Sequence, residues 1–129
     1  MNTTFTTTEY QSAAHTENLS IRYIKKINIV AVRGRSTGLE IVPAYTNLIQ
    51  QVESHFHKNN QLKCYFHFSV INASTTKLLF KLFRLLVNAQ RNGHQIEVLW
   101  VIEEDDQELI DVGLDFKNLY NLDFQITSK

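Results

Sequence analysis

Two segments of this 129-residue chain place chemically capable side chains at a workable spacing. The first, Asn72-Ala73-Ser74-Thr75-Thr76-Lys77, lies between an apolar alternating run and an apolar run of helical period. The junction of a strand's C-terminal end with a helix N-terminus is where α/β proteins often hold ligand or regulatory sites. Two readings are open there. Ser74 or Thr75 caps the helix by accepting an otherwise unpaired backbone N–H. Alternatively one of these hydroxyls is exposed and takes a phosphoryl group, gaining about −1.5 to −2 charges. A phosphate-cradling loop fits worse, because the segment has no glycine and does not match GxxxxGK[ST]. The second segment, Glu103-Glu104-Asp105-Asp106-Gln107-Glu108, could serve as a metal or general acid–base cluster. Successive helical side chains point about 100° apart, however, so neighbouring carboxylates do not converge. The more economical reading puts Asp105 at a helix cap with Glu108 three positions on, the acidic excess complementing the positive end of the helix dipole. Attraction to a basic partner lies between these.

The histidines and the lone cysteine add little. His55 and His57 are two apart in a helical run and face different ways, His67 is mid-strand, and His15 is near the start. HExxH, Cys/His zinc spacings and GxSxG are all absent, so neither a metal nor a cofactor is expected. Cys64 permits no internal disulfide and reads as a buried thiol, which suits a reducing compartment.

The helix after Asn72 has a second use. Lys77, Lys81, Arg84, Asn88 and Arg91 recur at spacings of four and three, so they form one polar stripe. Leu78, Leu82, Leu85, Leu86 and Ala89 suffice to cover a sheet. Phe80, Phe83 and Val87 are left near the boundary with solvent. Either other elements cover that flank, or it is an aromatic docking surface with a positive rim.

These segments must be positioned by alternating strands and helices. Residues 1–19 are polar and Thr-rich and read as a loose tail; residues 20–129 read as one domain. Two strands, around Ile21–Tyr23 and Ile27–Val32, form a hairpin through Lys25-Lys26, with Gly34-Arg35-Ser36 as a turn after the second. A helix begins near Pro43 and carries Leu48, Ile49, Val52 and Phe56. Leu62, Cys64, Phe66, Phe68 and Val70 line one face of the next strand, and the second helix runs to Asn92-Gly93. Ile96 to Ile102 is an apolar central strand, the acidic run opens a third helix, and Leu122, Phe124 and Ile126 alternate in a last strand. The order predicts an α/β fold with a mixed, mostly parallel sheet, an N-terminal hairpin and three helices.

Composition bounds the function. Thirteen basic and thirteen acidic residues balance to a formal charge of zero, so no overall field draws the chain to nucleic acid or anionic lipid. No stretch reaches the roughly 18 apolar residues of a membrane span, and the start Met1-Asn2-Thr3-Thr4-Phe5 lacks signal-peptide features, so a cytoplasmic protein is expected.

The stretch Phe66 to Phe124 resembles the SiaC family of bacterial regulatory phosphoproteins, whose fold is like that of the STAS-domain anti-sigma-factor antagonists. The resemblance rests on Asn72-Ala73-Ser74-Thr75-Thr76-Lys77, which is similar to an Asn-Thr-Ser-Ser type motif. It rests also on Trp100-Val101-Ile102-Glu103-Glu104-Asp105-Asp106, on Gly113-Leu114-Asp115-Phe116, on Asp123-Phe124, and upstream on Gly34-Arg35-Ser36. It implies a STAS-like partner-switch protein rather than an enzyme. A cognate Ser/Thr kinase would phosphorylate it, a PP2C-type phosphatase would reverse this, and the unmodified form would bind a target such as a GGDEF diguanylate cyclase. The family's phosphoacceptor threonine falls at the position of Ala73, so Ser74, then Thr75, becomes the expected acceptor, unless the switch is lost and binding is constitutive. The target would dock on the second helix, with Lys77, Lys81 and Arg84 as the rim and Phe80 and Phe83 as anchors. The rival readings are a small acid-dependent enzyme using the 103–108 carboxylates and a homo-oligomeric structural module.

Overall fold

The computed structural model describes residues 7–11, 19–103 and 105–129. The elements are β1 (Thr7–Gln11), β2 (Leu19–Ile24), β3 (Ile29–Ser36), α1 (Ile41–His55), β4 (Gln61–Ile71), α2 (Ala73–Arg91), β5 (Gln95–Ile102), α3 (Gln107–Leu119) and β6 (Asp123–Ser128). The strands form one six-stranded sheet in chain order. β1, β2 and β3 pair antiparallel, and β3 to β6 pair parallel. Each parallel step moves one place in the same direction, so right-handed crossovers put all three helices on one face. The predicted α/β class, mixed sheet, hairpin and three helices hold.

Strand alternation supplies the core. Leu19, Ile21, Val30, Val32, Leu62, Cys64, Phe66 and Phe68 are all 2% exposed or less and face the helical layer. The helices answer with residues at helical spacing: Ile41, Tyr45, Leu48 and Val52 from α1, and Leu79, Leu82, Phe83 and Leu86 from α2. Trp100 sits at the centre, with ring centroids 5.8 Å from Phe66, 5.5 Å from Phe68 and 5.9 Å from Phe116.

Three expectations change. Thr7–Gln11, within the expected loose tail, is a strand paired with Ser20–Ile24. Its threonines suit an extended edge even without apolar alternation. Residues 1–6 and 12–18 of that tail lie outside the described residues. Gly34-Arg35-Ser36 is no turn but the end of β3, and Gly34 adopts φ 106° there. The β3–β4 register steps from Gly34 opposite Phe68 to Arg35 opposite Val70, which leaves Ser69 as the extra residue of a bulge. That bulge turns Val70 away from the core and brings Ile71 into it at 8% exposure.

Candidate functional site

β4 delivers its C-terminal end to the start of α2, and Asn72 makes the transition. Its backbone is extended (φ −124°, ψ −179°), and its side-chain oxygen accepts the backbone N–H of Thr75 at 2.9 Å. Asn72 is therefore the cap, not Ser74 or Thr75, and those two occupy the second and third helical positions. The following hydroxyls have separate fates. Ser74 is exposed, and Thr76 donates to the Asn72 carbonyl at 3.2 Å. Thr75 is fully buried.

A buried chain of hydroxyls holds Thr75. Its Oγ1 donates to the Ser36 carbonyl at 2.6 Å and lies 2.9 Å from Ser36 Oγ, which lies 2.8 Å from the Tyr45 hydroxyl. Each hydroxyl has one proton, so the bond to the carbonyl fixes the rest: Ser36 donates to Thr75, and Tyr45 donates to Ser36. All three side chains are wholly buried, which raises the Tyr45 pKa by desolvation and keeps the phenol neutral. The network ties the end of β3, the first half of α1 and the start of α2 into one unit, so the Ser74 backbone is held by a rigid base.

The basic stripe of α2 is as expected: Lys77, Lys81, Arg84, Asn88 and Arg91 are all exposed. The aromatic flank is not. Phe83 is fully buried, its ring centroid 4.8 Å from Phe116, 5.6 Å from Phe66 and 5.8 Å from Phe124. Phe80 is half-buried, 5.1 Å from Phe116 and 6.4 Å from Tyr120. α3 covers this flank, so Phe83 is core and anchors no docking surface. Phe80 keeps a partly exposed edge above the stripe.

The acidic run disperses. Asp106, not Asp105, caps α3, its Oδ1 accepting from Leu109 N at 3.2 Å. Asp105 takes the left-handed conformation (φ 66°) that makes the turn, which Asp tolerates better than most residues. Glu103, just past β5, pairs with His67 of β4, and Asp111 accepts from Gln107 at 2.8 Å. Glu104 lies outside the described residues. Among the described residues no group of three or more His, Cys, Asp or Glu side chains is arranged to hold a metal.

The remaining candidates are structural. His55 is buried; its Nε2 donates to the Gln61 carbonyl at 2.9 Å, so its Nδ1 accepts from the Tyr23 hydroxyl at 2.6 Å. Burial, the largest influence, lowers its pKa and keeps it neutral. Cys64 is completely buried, and desolvation pushes its thiol up to about 12, away from nucleophilic chemistry. Ser36 and Tyr45 are the site residues that spacing does not disclose. Their signal, a serine ending a strand and a tyrosine on an otherwise apolar helix face, has meaning only once β3, α1 and α2 are packed.

The fold has counterparts among solved structures. The fold matches a chain in the crystal structure of the diguanylate cyclase SiaD in complex with its activator SiaC from Pseudomonas aeruginosa (TM-score 0.82, 16% identity, 87% of this chain and 93% of that one). It also matches apo-SiaC from Pseudomonas aeruginosa (TM-score 0.75, 15% identity, 96% and 98%) and a further SiaC structure from that organism (TM-score 0.80, 16% identity, 96% and 99%). No curated protein matches the sequence. The family model for SiaC family regulatory phosphoproteins matches residues 13–129. With nearly the whole chain covered, this protein belongs to the SiaC family of regulatory phosphoproteins.

Proposed function

We propose that this chain is a non-enzymatic partner switch that binds and regulates a diguanylate cyclase while unmodified and releases it when Ser74 carries a phosphoryl group. The observation that carries the reading is Ser74 itself, exposed at the second position of α2 with the exposed Lys77 three residues on. A helix N-terminus favours an added phosphate through its backbone N–H groups and dipole. That charge, about −1.5 to −2, would offset Lys77 and repel an acidic target surface. The buried, bonded hydroxyl of Thr75 is the weaker acceptor, since a kinase needs the oxygen in solvent. The shared fold supports the target class, because SiaC in the Pseudomonas complex is the activator of a diguanylate cyclase. A cognate Ser/Thr kinase and a PP2C-type phosphatase complete the cycle.

The target docks across Lys77, Lys81 and Arg84 and the exposed edge of Phe80, with Phe83 behind them as support. A non-enzymatic role is supported by the structural duties of Asp106, Glu103 and Cys64. No helix among the described residues is long and apolar enough to cross a membrane, and a cytoplasmic location is part of this proposal. The test is phosphorylation by the cognate kinase followed by mass spectrometry of the 72–77 segment. One phosphate on Ser74 is expected, and none in Ser74→Ala. An absence of phosphate on residues 74–76 of the wild type would sink the assignment.

A further inference from the structure

Among the described residues, one face of the sheet carries no helix. β3, β4, β5 and β6 are parallel and all three helices lie on the other side, whereas parallel sheets ordinarily have both faces covered. On the bare face the register puts half-buried Tyr65 beside half-buried Leu99, and exposed Lys63 beside exposed Glu97. Charge divides across the face. Arg33 and Lys63, on β3 and β4, are exposed and basic; Glu97 and Asp123, on β5 and β6, are exposed and acidic.

Such a face is complementary to itself. A two-fold axis running along the strands between β4 and β5 lays β4 of one copy over β5 of the other. Lys63 then meets Glu97 of the second copy, and Tyr65 meets Leu99. Because each of these pairs is already level within one chain, one axis satisfies both contacts on both sides. An axis across the strands would set basic strands on basic strands.

We infer that a second copy of this chain covers the bare face as an isologous dimer with the two sheets packed face to face. About this axis β3 to β6 of each copy overlap; four strands about 4.8 Å apart and about 20 Å long offer about 400 Å² per copy, or about 800 Å² in total, below the usual range of stable specific interfaces. The dimer is therefore weak and concentration-dependent. The helical layer faces outward on both copies, so pairing leaves Ser74 and the α2 stripe free, and this inference stands apart from the proposed switch.

Sedimentation velocity of the full chain from about 5 to about 500 μM reads the equilibrium directly. A monomer–dimer transition is expected within that range. Leu99→Lys and Lys63→Glu each weaken it by about tenfold or more, and the swap Lys63→Glu/Glu97→Lys restores it. Both positions face away from the core, so melting temperatures serve as the folding control, and either variant decides the matter if the other misfolds. A chain that stays monomeric throughout overturns the proposal and leaves the face to a different protein. So does a dimer indifferent to both single substitutions, or one that the swap does not recover.

Discussion

Ser74, Thr75 and Thr76 show how far adjacent hydroxyls can differ. One is in solvent, one is sealed in a buried chain, and one is bonded to its own cap. The sequence marks the cluster as a helix start, since polar short side chains precede an apolar helical run. It does not say which hydroxyl is free, because Thr75 is claimed by Ser36, 39 positions away. A similar separation hides the role of His55, whose Tyr23 partner lies 32 positions upstream. That histidine has a measurable consequence. Its folded-state pKa is lowered below 6.5, chiefly by burial, with Lys25 and His94 adding in the same direction against the Gln61 bond. Below pH 6.5 the unfolded chain therefore takes up a proton that the folded chain refuses. Its contribution to stability is full above that pH and is lost as pH falls toward the folded-state value. Denaturant melts between about pH 8 and about pH 5 should show this decline, with a shallower slope in His55→Gln.

At the scale of elements, α2 and α3 divide one aromatic cluster. Helical period correctly gives α2 its basic stripe and apolar body, but period alone cannot say whether α3 lies over Phe83. The answer comes from Gly113. A Cβ there would lie 2.6 Å from Trp100 Cδ1, so α3 reaches the sheet only where that side chain is absent. Trp100 Nε1 then donates to the Leu109 carbonyl at 3.0 Å, and Phe116 closes over Phe83. The Trp100 and Gly113–Phe116 motifs that carry the family resemblance are thus one packing contact. Gly113→Ala should cost about 1–3 kcal/mol through overpacking against the indole, despite alanine's better helix propensity. Chemical denaturation checks it; a stabilised variant would mean that α3 does not sit on Trp100. The bulge at Ser69 is likewise invisible to strand alternation, which runs unbroken from Leu62 to Phe68 and then assigns Val70 to the wrong face.

For the whole molecule, a net charge of zero conceals separated surfaces. The α2 stripe is basic, the start of α3 is acidic, and the bare sheet face is divided between the two. Chain order and alternation reveal the α/β class and the parallel crossovers, since each strand–helix–strand unit admits essentially one hand. They do not reveal β1, a Thr-Thr-Glu-Tyr-Gln segment without apolar alternation that pairs with β2. In the proposed switch, the charge state of the α2 N-terminus decides target binding. Calorimetric titration of the proposed target, a diguanylate cyclase, with the unmodified chain and with the kinase-treated chain tests this. The unmodified protein should bind, and one phosphate should weaken binding by about tenfold or more, equivalent to about 1.4 kcal/mol. Lys81→Glu/Arg84→Glu should weaken it without any phosphate. Equal affinity of the two forms, with no effect of the charge reversals, would contradict it.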